Sequence, residues 1–144
     1  MELDFINLKG RYRRSTWQVT TDLTVPETAP RSARWLNGFG LPVLSSGNVI
    51  ALVEDTCWSA MVPMVGTEDG LVGRRFEMAH RGPAAVGDFV EIEVDCLAVD
   101  GRTATWSGIV SNLRTNGVVA EVEHDVTVVR RESFLHKLSG TGSS

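Results

Sequence analysis

Apolar and polar positions along the chain follow two different periods. Between Ser46 and Met64, apolar groups recur at Val49, Ile50, Val53, Cys57, Ala60, Met61 and Met64, a spacing that draws one stripe on a helix. The predicted helix starts near Ser46, whose hydroxyl suits a cap, and frays near Pro63 or ends at Gly66. Elsewhere the period shortens to two. Residues 14–25 alternate and are rich in β-branched side chains, which predicts a first strand. Residues 26–44 are broken by Pro26, Pro30, Gly38, Gly40 and Pro42 and read as a loop with room for a helical turn at 31–36. A second strand is expected over 71–81. A third, over 88–99, sets Phe89, Glu91, Glu93 and Asp95 on one face and Val90, Ile92, Val94 and Cys96 on the other. Asp100-Gly101 and Asn116-Gly117 predict hairpins joining it to strands at 102–113 and 118–130.

One helix between a first strand and a four-stranded antiparallel meander describes an α+β domain in which the sheet wraps the helix. A single domain over residues 1–138 is expected, with a disordered Gly/Ser tail at 139–144. The 42% apolar and 22% charged fractions are those of a soluble globular protein. A net charge of -4 gives no basic field for a polyanion, so nucleic acid is not an expected partner. No apolar run approaches the roughly 20 residues of a membrane-spanning helix, and the first residues lack the regions of a signal peptide, so a cytoplasmic location is expected. Cys57 and Cys96 have no spacing suited to a metal and are read as core thiols.

Against this background Glu54 stands out. It lies on the flank of the helical stripe, where partial removal from water favours pairing or a raised affinity for protons. Ser46-Gly47 precede it and His80 follows. Taken alone, a helix-flank glutamate can equally reach solvent.

The surrounding residues carry a resemblance. Gly40-Leu-Pro-Val-Leu-Ser-Ser-Gly-Asn-Val-Ile-Ala-Leu-Val-Glu, then Val72-Gly-Arg-Arg-Phe-Glu-Met-Ala-His and Pro83-Ala-Ala-Val-Gly-Asp, resemble the fluoroacetyl-CoA thioesterase family of hotdog-fold enzymes over roughly residues 44–134. The order of elements is that of the hotdog fold. The resemblance implies a hydroxyl at Ser46, a carboxylate at Glu54, an imidazole at His80 and an oxyanion-binding backbone N–H at Gly73. Thioester hydrolysis needs an attacking oxygen or an activated water, and donors for the developing oxyanion, and these groups supply both. The implied substrate is an acyl-CoA, with coenzyme A entering as part of the substrate and no separate cofactor or metal. The implied assembly is a homodimer or larger homo-oligomer with the site at the subunit interface, which would also close the exposed sheet edge.

Other roles fit some of these residues. Ser46 is also a helix cap, and Gly73 is also a packing or bulge glycine. His124 aligns with a family histidine but sits mid-strand between Glu123 and Asp125, and a structural hydrogen-bonding role is expected. Where the family often has a basic residue soon after that histidine, this chain has Val126, so Arg74, Arg75 and Arg81 become the candidates for the nucleotide phosphates. Trp35 and Phe39 could lid an acyl pocket. A hotdog lyase or hydratase using the same Glu and His, or a non-catalytic acyl-CoA binding module, would carry a similar pattern.

Overall fold

A computed structural model describes residues 7–25 and 41–140. The expected helical turn at 31–36, Trp35, Phe39 and residues 141–144 of the tail lie outside them. The described elements are β1 (Tyr12–Gln18), β2 (Thr24–Val25), β3 (Leu41–Leu44), α1 (Ser46–Met61), β4 (Asp69–His80), β5 (Phe89–Asp100), β6 (Thr103–Asn112), β7 (Val118–Arg130) and α2 (Arg131–Leu138). A five-stranded antiparallel sheet has the order β1-β5-β6-β7-β4, and β2 pairs with β3 in a small second sheet. The large sheet packs one face on α1, which is the hotdog architecture.

Alternation does its work most clearly in β5. Val90, Ile92, Val94 and Cys96 are buried while Phe89 stays exposed, so the apolar positions face α1. They meet Val49, Val53, Cys57 and Met61 from the helix stripe, and Trp106 and Val110 from β6 complete the core. A chain of hydrogen bonds fastens the helix to β1. Trp17 Nε1 donates to Ser15 Oγ (2.9 Å), Ser15 and Thr56 share a bond of 2.7 Å, and Thr56 Oγ1 donates to the Leu52 carbonyl (2.8 Å).

Several local expectations are corrected. The cap of α1 is Ser45, whose Oγ accepts from the Asn48 amide at 3.2 Å, which leaves the Ser46 hydroxyl free for another partner. The fraying expected near Pro63 is present: the helix ends at Met61 and passes into a 3-10 turn at Val62–Met64, because Pro63 has no N–H to continue the ladder. The strand expected over 14–25 breaks after Gln18. Thr20 Oγ1 bonds Asp22 and Thr24 Oγ1 bonds the Thr21 carbonyl (2.6 Å), local bonds that favour a turn over a ladder. Asn116 does adopt a left-handed conformation (φ 61), but the chain reverses over residues 113–117 rather than in a two-residue loop. At the other hairpin Asp100 pairs Thr103 with Gly101 at φ 59, the tight turn expected. Ser139 and Gly140, expected in a disordered tail, close α2 by bonds to the Leu135 and Lys137 carbonyls.

One irregularity positions the site. In the β4–β7 ladder Gly73 faces Val126 and Arg75 faces Asp125, leaving Arg74 as the extra residue of a β-bulge.

Candidate active site

Two pairs of polar side chains flank α1. The first joins helix to sheet at the bulge. Glu54 is 30% exposed, and its Oε2 lies 3.2 Å from Nε2 of His124, a side chain that is almost wholly buried. The other ring nitrogen, Nδ1, is 2.8 Å from the backbone carbonyl of Arg75. A carbonyl only accepts, so Nδ1 carries a hydrogen and Nε2 is the nitrogen offered to the carboxylate. Nε2 has no well-aligned hydrogen bond despite the short distance. Phe76 tilts against the imidazole with ring centroids 4.8 Å apart.

Gly73 completes this corner. A Cβ at that position would lie 2.5 Å from Glu54 Oε2 and 3.2 Å from His124 Cε1, so only glycine leaves the carboxylate where it is. Its role as a mere bulge glycine therefore gives way to a second requirement: space for Glu54.

The second pair sits at the start of the helix, where Ser46 Oγ and His80 Nδ1 are 2.7 Å apart and both residues are exposed. Ser46 and Glu54 are two turns apart on α1, about 12 Å along its axis. The chain thus joins Ser46 to His80 and Glu54 to His124, and does not bring Ser46 or His80 onto Glu54 within one protomer.

Charges on the outer face of the sheet are mutually occupied. The Arg75 guanidinium bonds Asp125 (2.9 Å), Glu123 (2.5 Å) and Glu77 (3.1 Å). It holds the Asp125 carboxyl below the usual carboxylate range, with help from the Thr105 hydroxyl. Arg81 bonds Glu121 at 2.9 Å. Among the three arginines considered for phosphates, Arg74 is the one with no ion pair to the described residues, and it is exposed. Burial pushes the Cys57 thiol far up, and the Cys96 thiol and the Glu54 charge add smaller pushes, so a thiolate nucleophile is disfavoured beside the carboxylate. No cluster of three metal-ligating side chains occurs among the described residues.

Its bond to the Arg75 carbonyl gives His124 the structural hydrogen-bonding role expected of it, and its contact with Glu54 is the part that sequence reasoning missed. The signal was present: with Val122 and Val126 it falls on the inward face of β7, while Glu123 and Asp125 fall on the outer one.

No curated protein matches the chain significantly in sequence. Among solved structures, a hot-dog-like protein from Thermanaerovibrio acidaminovorans superposes with a TM-score of 0.79 at 20% identity, covering 99% of each chain. The fluoroacetyl-CoA thioesterase FlK superposes with a TM-score of 0.81 at 20% identity, over 94% of this chain and 97% of that one. A point mutant of FlK in complex with acetyl-CoA gives 0.80 at 21% identity, over 94% and 98%. These likenesses establish the fold. The family profile for fluoroacetyl-CoA-specific thioesterases matches residues 24–132, most of the chain, and spans both polar pairs and the Gly73 bulge. The chain therefore belongs to the fluoroacetyl-CoA-specific thioesterase family and is a thioester hydrolase.

Proposed function

We propose that the chain hydrolyses acyl-CoA thioesters of small or medium acyl groups, with Glu54 as the reacting carboxylate. The observation that carries this reading is the seat of Glu54: partly exposed, set in the space left by the missing side chain of Gly73, and backed by a buried imidazole. The complex of a structural relative with acetyl-CoA supports coenzyme A as the thiol carrier.

In one course Glu54 attacks the thioester carbonyl, a C–O bond forms, the C–S bond breaks, and coenzyme A leaves as a thiolate. Water then opens the resulting anhydride and regenerates the carboxylate. In the other course Glu54 takes a proton from water as the water attacks. Either way negative charge develops on the carbonyl oxygen, and the Gly73 N–H is the donor assigned to it. His80, bonded to Ser46, is the assigned proton source for the departing thiol.

The two polar pairs, about 12 Å apart on one helix, are joined in this reading by a second protomer. β4 is an edge strand, and His80 and Ser46 are exposed near its end. A homodimer that brings the Ser46–His80 pair of one subunit toward the Glu54 of its partner would assemble all four residues into one site.

The test is release of free thiol from a panel of acyl-CoAs by wild type and by Glu54→Gln. Turnover by wild type and none by the variant is expected. Loss of an enoyl-thioester absorbance without thiol release would instead identify a lyase or hydratase.

A further inference from the structure

Glu54 has two oxygens, and the structure treats them differently. Oε2 is tucked between His124 Nε2 and the space left by the missing Gly73 side chain. Oε1 has no hydrogen bond or ion pair to the described residues. The imidazole that holds Oε2 is itself held. Its Nδ1–H is committed to the Arg75 carbonyl, Phe76 lies against one face, and Trp106 stands opposite it on β6. The side chain is almost completely buried, so the ring cannot turn its other edge to the carboxylate without losing the Arg75 bond.

With Nδ1 occupied, one proton shared between Nε2 and Oε2 satisfies both atoms. Without that proton, a lone pair on nitrogen would face a carboxylate oxygen, an unfavourable contact at 3.2 Å. From these contacts we infer that His124 is the positioning residue for Glu54: it shares a proton with Oε2, keeps that oxygen out of the reaction, and presents Oε1 to the thioester carbonyl or to the attacking water. The arrangement is a carboxylate oriented by an imidazole that is oriented by a carbonyl, the logic of an oriented nucleophile or base. The loose alignment of Nε2 and Oε2 is of the kind that tightens when substrate fills a site. This inference rests on Glu54 being the reacting carboxylate.

The experiment compares His124→Phe, which keeps an aromatic ring against Phe76, with His124→Gln, which keeps a donor within reach of Oε2. Thiol release from the best acyl-CoA is measured for both, alongside Glu54→Gln. His124→Phe is expected to lower kcat about 100-fold with KM little changed, the scale of a misplaced reacting group, and His124→Gln to recover at least several-fold of that loss. In parallel, 15N spectra of histidine-labelled protein at one fixed pH should show a protonated Nδ1 in wild type and an Nε2 resonance that moves in Glu54→Gln. Turnover that survives Glu54→Gln overturns the assignment of Glu54 and this inference with it. Turnover lost in Glu54→Gln but retained in His124→Phe overturns this inference alone. Should His124→Phe fail to fold, the spectra decide: an Nε2 resonance unmoved by Glu54→Gln overturns it, and a shifted one supports it.

Discussion

The side chain that Gly73 lacks would occupy the place of Glu54 Oε2: a Cβ built there falls 2.5 Å from that oxygen, closer than real Cβ contacts allow. Because the clash is with the far end of a flexible side chain, Glu54 can swing away, and the fold should survive. Gly73→Ala is expected to melt within a few degrees of wild type and to lose roughly 10- to 100-fold in kcat, read by circular dichroism and thiol release. Normal activity would show that the position of Oε2 is immaterial.

The two-subunit arrangement is tested by mixing. Glu54→Gln and His80→Ala should each be inactive or nearly so as homodimers. In a mixed dimer with composite sites, one of the two sites receives both intact residues, so co-refolded equal mixtures should regain about a quarter of wild-type activity. Sites complete within each protomer would give no recovery, and a monomer active in light scattering at assay concentration would remove the arrangement altogether.

Arg74 and Arg75 are neighbours with opposite expected effects. Arg74→Glu should raise KM for a CoA thioester roughly tenfold while leaving a truncated pantetheine thioester nearly unaffected, because only the former carries the nucleotide phosphates. Arg75→Glu would place a fourth carboxylate among Asp125, Glu123 and Glu77 and should lower Tm whatever the substrate. Equal KM values on both thioesters for Arg74→Glu would move the phosphate contact elsewhere.

Stability should depend on acid through Asp88. Its nearly buried carboxylate accepts from Arg114 Nε (2.7 Å), Asn112 Nδ2 (2.9 Å) and the Ala85 amide (3.0 Å), and the Arg114 bond first among these holds it well below the usual carboxylate range. A carboxyl that binds protons more weakly folded than unfolded stabilises the fold above its unfolded value, about 3.9, and that contribution fades as the pH falls below it. Asp88→Asn should therefore melt several degrees below wild type at neutral pH, with the gap narrowing steadily below about pH 4. A gap that is constant with pH would assign the loss to packing alone.

Much of this architecture was legible because its signals are repetitive. The buried positions of β5 are those its alternation picks out, and the stripe on α1 places Val49, Val53 and Cys57 in the core. Legibility failed where a single local bond decides. Ser45 and Ser46 are equally good caps by type, and only the fold shows that Asn48 bonds the first while His80 claims the second. β3 was hidden by Pro42, and α2 by its shortness and the exposure of Phe134, Leu135 and Leu138. The partnership of Glu54 with His124 joins residues 70 apart through a cross-sheet contact, which no spacing rule along one chain contains.

The bulge at Arg74 has a consequence for parity. Gly73 and His80 are seven residues apart, and in an unbroken strand an odd separation sends two residues to opposite faces. Here Leu71 and Gly73 face the helix before the bulge, and Phe76, Met78 and His80 face it afterwards, because one extra residue resets the count. Arg75 is thereby turned outward to its carboxylates while its carbonyl still meets His124. An unbroken ladder that kept Arg74 would, in any register, bring only one of Gly73 and His80 onto the helix face, whereas deleting Arg74 would leave the two six residues apart and both on it.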